Sequence, residues 1–133
     1  MERKILLVSD SLEIREEVLN YALNFAERID SLVVALFLLK RGECENEMNN
    51  FTKILGLYQQ KFAGENVYFE GWVRVGNPLS EFLKFIAGTG SYQAIIWGGK
   101  EEINFKKSSS VNEHWLKKAA ILAHCPLLML TKK

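Results

Sequence analysis

The chain has 133 residues, of which 48% are hydrophobic and 25% charged, proportions of an ordinary globular domain that exclude disordered and fibrous classes. Seventeen Lys and Arg stand against sixteen Asp and Glu, so the net charge of +1 lacks the basic excess expected of a protein whose main partner is nucleic acid or an anionic membrane. The longest apolar run, Leu32 to Leu39, is far short of the ~20 residues a membrane-spanning helix needs.

Residues Lys4 to Ser9 form a continuous apolar run, the pattern of a strand covered on both faces. Met-Glu-Arg-Lys leads straight into it with no signal-peptide core, so a cytoplasmic location is the expectation. Asp10 and Ser11 are good helix N-caps, and Ile14, Val18, Ala22, Phe25 and Ile29 recur at helical spacing behind them. Glu13, Glu16 and Glu17 occupy the first turns, where the helix dipole favours negative charge.

Leu32 to Leu39 predicts a second buried strand. A polar stretch, Lys40 to Glu47, precedes a helix whose stripe is Met48, Phe51, Leu55, Tyr58 and Phe62. From Val67 to Val75 apolar and polar residues alternate, with Tyr68, Glu70, Trp72 and Arg74 on one face, so this strand belongs at a sheet edge. Asn77-Pro78 opens a third helix with Leu79, Phe82, Leu83 and Ile86 as its stripe, and Gly88 and Gly90 close it.

Ala94 to Trp97 predicts a fourth strand, ended by Gly98-Gly99. A polar loop, Lys100 to Ser110, leads to a helix with Val111, Trp115, Ala119 and Leu122 on one face. Cys125-Pro126 then enters a fifth strand, Leu127, Leu128, Met129 and Leu130. The two cysteines, Cys44 and Cys125, form no C-x-x-C pair and read as free packing thiols.

Five strands alternating with four helices predict one α/β domain over residues 1–133, with a parallel sheet and right-handed crossovers. Ligands of such sheets bind outside the carboxyl ends of the strands, where the strand order reverses. The candidate residues are therefore Ser9, Asp10 and Ser11 after the first strand, and Gly98 to Ser110 after the fourth.

Along its whole length the chain resembles the universal stress protein family. The resemblance rests on K-I-L-L-V-S-D-S-L-E at the start, V-R-V-G-N-P-L at the third-strand exit, A-I-I-W-G at the fourth strand, then S-V-N-E and H-C-P-L-L-M-L. It implies a three-layer sandwich with strand order 3-2-1-4-5, flavodoxin-like or adenine-nucleotide-hydrolase-like. It also implies a homodimer formed by pairing of fifth strands, here Leu127, Leu128, Met129 and Leu130.

Some members of the family bind ATP through a loop written G-x-x-G, nine residues, then G-S or G-T. In this chain Gly98 fills the first position and Gly99 follows, but Glu101 stands where the second glycine belongs. Ser109 replaces the third glycine, Ser110 keeps the serine before Val111, and the loop is two residues short. Trp97 and Gln93 also depart from the pattern, at the position bordering the base and at the head of the fourth strand. Lys100, Lys106 and Lys107 with the following serines read first as a solvated polar loop and, alternatively, as a remaining anion site at a helix start. Asp10 is either a cap of the first helix or, as in ATP-binding relatives, a contact for an adenine or ribose edge.

The reading is a homodimeric stress-response module acting by ligand contacts or through a protein partner of unknown identity, without stable ATP binding, a cofactor or an enzymatic activity. The alternative is an adenine-nucleotide-binding member with a degenerate phosphate loop. The Ser-Gly-Gly-x-Asp-Ser loop of related pyrophosphatases has no counterpart at Ser9 to Leu12. His114 and His124 lie ten residues apart with no carboxylates at metal-ligand spacing.

Overall fold

The computed structural model describes residues 3–40, 44–89, 92–99, 115–122 and 126–128, and gives only the backbone for 44–49, 117, 120 and 128. In chain order the elements are β1 (Arg3–Ser9), α1 (Glu16–Ile29), β2 (Ser31–Leu39), α2 (Cys44–Ala63), β3 (Phe69–Val75), α3 (Pro78–Thr89), β4 (Ala94–Trp97), α4 (Trp115–Leu122) and β5 (Leu127–Leu128).

Every strand pairing is parallel. The four longer strands stand in the order β3-β2-β1-β4, and β5 adds a two-residue pairing beyond β4, Ile95 with Leu127 and Ile96 with Leu128. The rest of the expected fifth strand, Met129 and Leu130, lies outside the described residues.

β1 is central. Leu7 pairs with Ala35 on one side and Ile96 on the other, and Val8 with Leu36 and Trp97. Alternate residues of such a strand face opposite layers. Ile5 and Leu7 join a core under α1 and α2 with Val18, Ala22 and Phe62. Leu6 and Val8 join the other, with Phe82 and Phe85 of α3 and Leu116 and Ala119 of α4. Two covered faces explain why β1 and β2 read as unbroken apolar runs. β3 is the edge strand; it buries Phe69 and part-buries Val73 and Val75 against the α1–α2 layer, while Trp72 on the other face is 42% exposed.

Four boundaries differ from the sequence reading. α1 begins at Glu16, not behind Asp10 and Ser11, and its N-cap Arg15 makes no side-chain capping bond. α2 begins at Cys44, ahead of Met48. Val67 precedes the edge strand: its N–H donates to Phe62 O (3.0 Å), closing the end of α2 beside Asn66, which adopts a left-handed φ of 61°. α3 passes through Gly88 to Thr89, whose hydroxyl donates to Phe85 O at 2.8 Å. The start of α3 is as expected: Asn77 Oδ1 accepts the Ser80 N–H at 3.0 Å, and Pro78 takes the first helical position. Among the described residues no helix is long and apolar enough to cross a membrane.

Candidate functional site

The strand order reverses between β1 and β4, so their carboxyl ends frame the crevice of the sheet. From β1 come Ser9, Asp10 and Ser11; from β4 come Trp97, Gly98 and Gly99. Lys100, Ser109, Ser110 and Val111 of the expected site, and the neighbouring Glu101, Lys106 and Lys107, lie outside the described residues.

The two serines shape the turn. Ser9 is fully buried; its hydroxyl donates to Ser11 O at 2.6 Å and accepts the Ser11 N–H at 3.1 Å. Ser11 Oγ accepts the Glu13 N–H at 3.2 Å. These are local side-chain-to-backbone bonds of the kind that compete with helix formation. They explain why Asp10 and Ser11 do not cap α1, as expected from sequence, and why the helix starts later.

Residues 12–14 then turn back into the core, with Leu12 and Ile14 buried. Tyr58 of α2 fastens them: its hydroxyl accepts the Ile14 N–H at 2.9 Å and donates to Leu12 O at 3.0 Å. Burial pushes the Tyr58 phenol above its ordinary value, the Ile14 bond opposes the rise, and the charge of Glu13 adds to it. The phenol therefore keeps the proton it donates throughout the neutral range.

Asp10 is different. Its Oδ1 is buried and has no hydrogen-bond partner among the described residues. It lies against Gly99: a Cβ on that glycine would sit 2.7 Å from Asp10 Oδ1 and 2.6 Å from Trp97 Cη2. The Trp97 indole is 2% exposed and meets the Trp115 ring edge-to-face at 6.2 Å. Gly98 is confined less severely: its N–H donates to Val8 O at 2.7 Å, and a Cβ there would lie 3.3 Å from both Ile14 Cγ2 and Leu7 Cδ1.

The described site is thus a tight turn from β4, packed onto an indole and set against an unpaired carboxylate oxygen from β1. A buried carboxylate oxygen accepts N–H or O–H donors and is costly to leave unpaired, so the arrangement suits recognition of a donor group. Among the described residues no cluster of three or more His, Cys, Asp or Glu is placed to hold a metal ion. The sequence brought Asp10 and Gly98 to one crevice but missed the Tyr58 clamp and the indole beneath Gly99. The available signal for the clamp was a tyrosine in an otherwise apolar helical stripe, since a half-buried phenol needs a partner.

No protein-family model matches the sequence, and no curated protein matches it. Solved structures do. The universal stress protein UspA from Lactobacillus plantarum superposes with a TM-score of 0.72 at 12% identity, covering 97% of each chain. A universal stress protein from Archaeoglobus fulgidus, determined in complex with dAMP, gives 0.65 at 17% identity over 97% of this chain and 98% of that one. A protein of the same family from Burkholderia pseudomallei gives 0.66 at 14% identity over 96% of each. The resemblance read from the strand ends is matched in three dimensions: this chain has the universal stress protein fold.

Proposed function

We propose that the chain, as a single domain, is a cytoplasmic stress-response module of the universal stress protein kind, a homodimer that acts through contacts with a protein partner or a small ligand and does not hold ATP stably. The observation that carries this reading is the Gly98 amide. A phosphate-binding turn presents free backbone N–H groups to the anion, whereas the Gly98 N–H is used by Val8 O and its Cα is packed under Leu7 and Ile14. Glu101, in the place of a loop glycine, adds a charge that repels phosphate.

Support for the dimer comes from the β5 side of the sheet. An apolar edge strand is a liability unless another chain covers it. Just ahead of Leu127 and Leu128 in sequence, Ile121 and Leu122 of α4 are 73% and 57% exposed. Large apolar side chains exposed at neighbouring positions are candidates for burial against another chain. The interface proposed from sequence, Leu127, Leu128, Met129 and Leu130, follows them in the chain.

A second reading, an adenine-nucleotide-binding module, is favoured by two observations: Asp10 Oδ1, at the carboxyl end of β1, has no hydrogen-bond partner among the described residues, and a structure of the same fold was determined in complex with dAMP. Native mass spectrometry of freshly purified protein, before and after addition of magnesium and ATP, separates the two. The first reading predicts a bare dimer in both samples. A dimer carrying an adenine-nucleotide mass would establish the second, and a monomer would remove the dimer from either.

A further inference from the structure

At the opposite end of the sheet, Lys4, Leu32, Tyr68 and Glu70 line a hollow of about 530 Å³. This volume falls within the ~300–1,000 Å³ usual for small-molecule sites. The hollow lies at the amino ends of β1, β2 and β3, where Lys4 reaches α3 through its bond to Thr89 O and Leu32 packs on the core beneath α3 and α4. Ser9 and Asp10 stand at the other end of β1, so the hollow is separate from the switch-point crevice.

The hollow carries one charge of each sign, Lys4 and Glu70. The Lys4 ammonium is fixed by donation to Thr89 O at 2.6 Å and lies 5.2 Å from the centre of the Tyr92 ring. An ammonium has three donors, so this anchor leaves others for an anion. Across the hollow, the Glu70 carboxylate has neither a hydrogen bond nor an ion pair among the described residues. It lines the same hollow as Lys4; nearby, burial raises the Tyr92 phenol above its ordinary value, the Thr89 bond opposes this, and the charge of Glu70 adds to the rise. Lys4 and Glu70 form no ion pair with each other. Between them lies the part-buried Leu32, and the 63% exposed Tyr68 flanks the opening.

A lone cation entering here meets Lys4, and a lone anion meets Glu70. A molecule carrying both charges meets an opposite charge at each wall, with Leu32 and Tyr68 left to cover an apolar group. We propose that this hollow binds a zwitterionic amino acid with an apolar or aromatic side chain, its carboxylate at Lys4 and its ammonium at Glu70. The module would then sense a second ligand at a site remote from the crevice.

The test is calorimetric titration of the full chain with free L-phenylalanine and L-leucine, compared with N-acetyl-L-phenylalanine and L-phenylalanine methyl ester. Saturable binding of the free amino acids is expected, with each blocked form weaker by about tenfold, the size of one lost charge-assisted hydrogen bond. In Glu70→Gln the preference over the N-acetyl form should disappear while the preference over the methyl ester survives. No binding at millimolar amino acid, equal binding of the blocked forms, or an unaltered preference in Glu70→Gln would each overturn the proposal.

Discussion

Phe82→Ala is expected to destabilise the protein by about 3–5 kcal/mol, the cost of emptying a fully packed aromatic site. Phe82 is fully buried in the layer between the sheet and helices α3 and α4, and its ring meets Trp115 at 5.7 Å with an interplanar angle of 62°. This contact ties α3 to α4, and Trp115 in turn meets Trp97. The truncation thus removes buried area and also loosens the support of the indole beneath the crevice. Since small domains are stable by only ~5–15 kcal/mol, the loss should be plain in urea denaturation. Leu57→Ala provides the control: Leu57 is 59% exposed, and its truncation should stay within ~0.5 kcal/mol. A loss below about 1 kcal/mol for Phe82→Ala would mean that this layer is not packed as described.

Gly99→Ala should also destabilise, although alanine by itself restricts the unfolded chain and would add ~0.4–1 kcal/mol of stability at a tolerant site. Here the new methyl would sit 2.6 Å from Trp97 Cη2 and 2.7 Å from Asp10 Oδ1. Overpacking of this kind costs about 1–3 kcal/mol, so the clash outweighs the entropic gain. The indole has little room to retreat, being 2% exposed and seated against Trp115. A double-mutant cycle with Trp97→Leu assigns the cause: in that background Gly99→Ala should cost at least about 1 kcal/mol less. Additive losses would show that the ring is not what the glycine accommodates.

The layers of the fold were legible in the sequence because its central strands are covered on both sides. Residues 4–9 and 32–39 read as strands sandwiched between helices because they are short, continuously apolar and bounded by turn or helix-start signals, and β3 declared itself an edge by alternation, with Phe69, Val73 and Val75 inward and Trp72 outward. The missed boundaries share a cause. Asp10 and Ser11 satisfied every local rule for a helix cap, but Ser9 and Ser11 close their own turn, and Tyr58, 44 residues beyond Ile14, holds the following residues away from helix. Val67 fits the alternation of β3, yet its N–H is used to finish α2.

The site was half legible for the same reason. Topology alone brings the end of β1 to the end of β4, so Asp10 and Gly98 could be paired from the sequence. Whether the glycines were free to cradle phosphate depends on packing by Leu7, Ile14 and Trp97, which no spacing rule contains. Glu101 pointed in the same direction, because it stands where the loop of the ATP-binding members that the chain resembles has a glycine.

Whether the switch-point turn can receive phosphate is tested most directly by titrating isotope-labelled protein with magnesium-ATP and following the Gly98 and Gly99 amide resonances. With the Gly98 N–H held on Val8 O at 2.7 Å, both resonances are expected to stay in place at millimolar nucleotide. Saturable shifts of these two amides would contradict that expectation and make this turn part of a working nucleotide site.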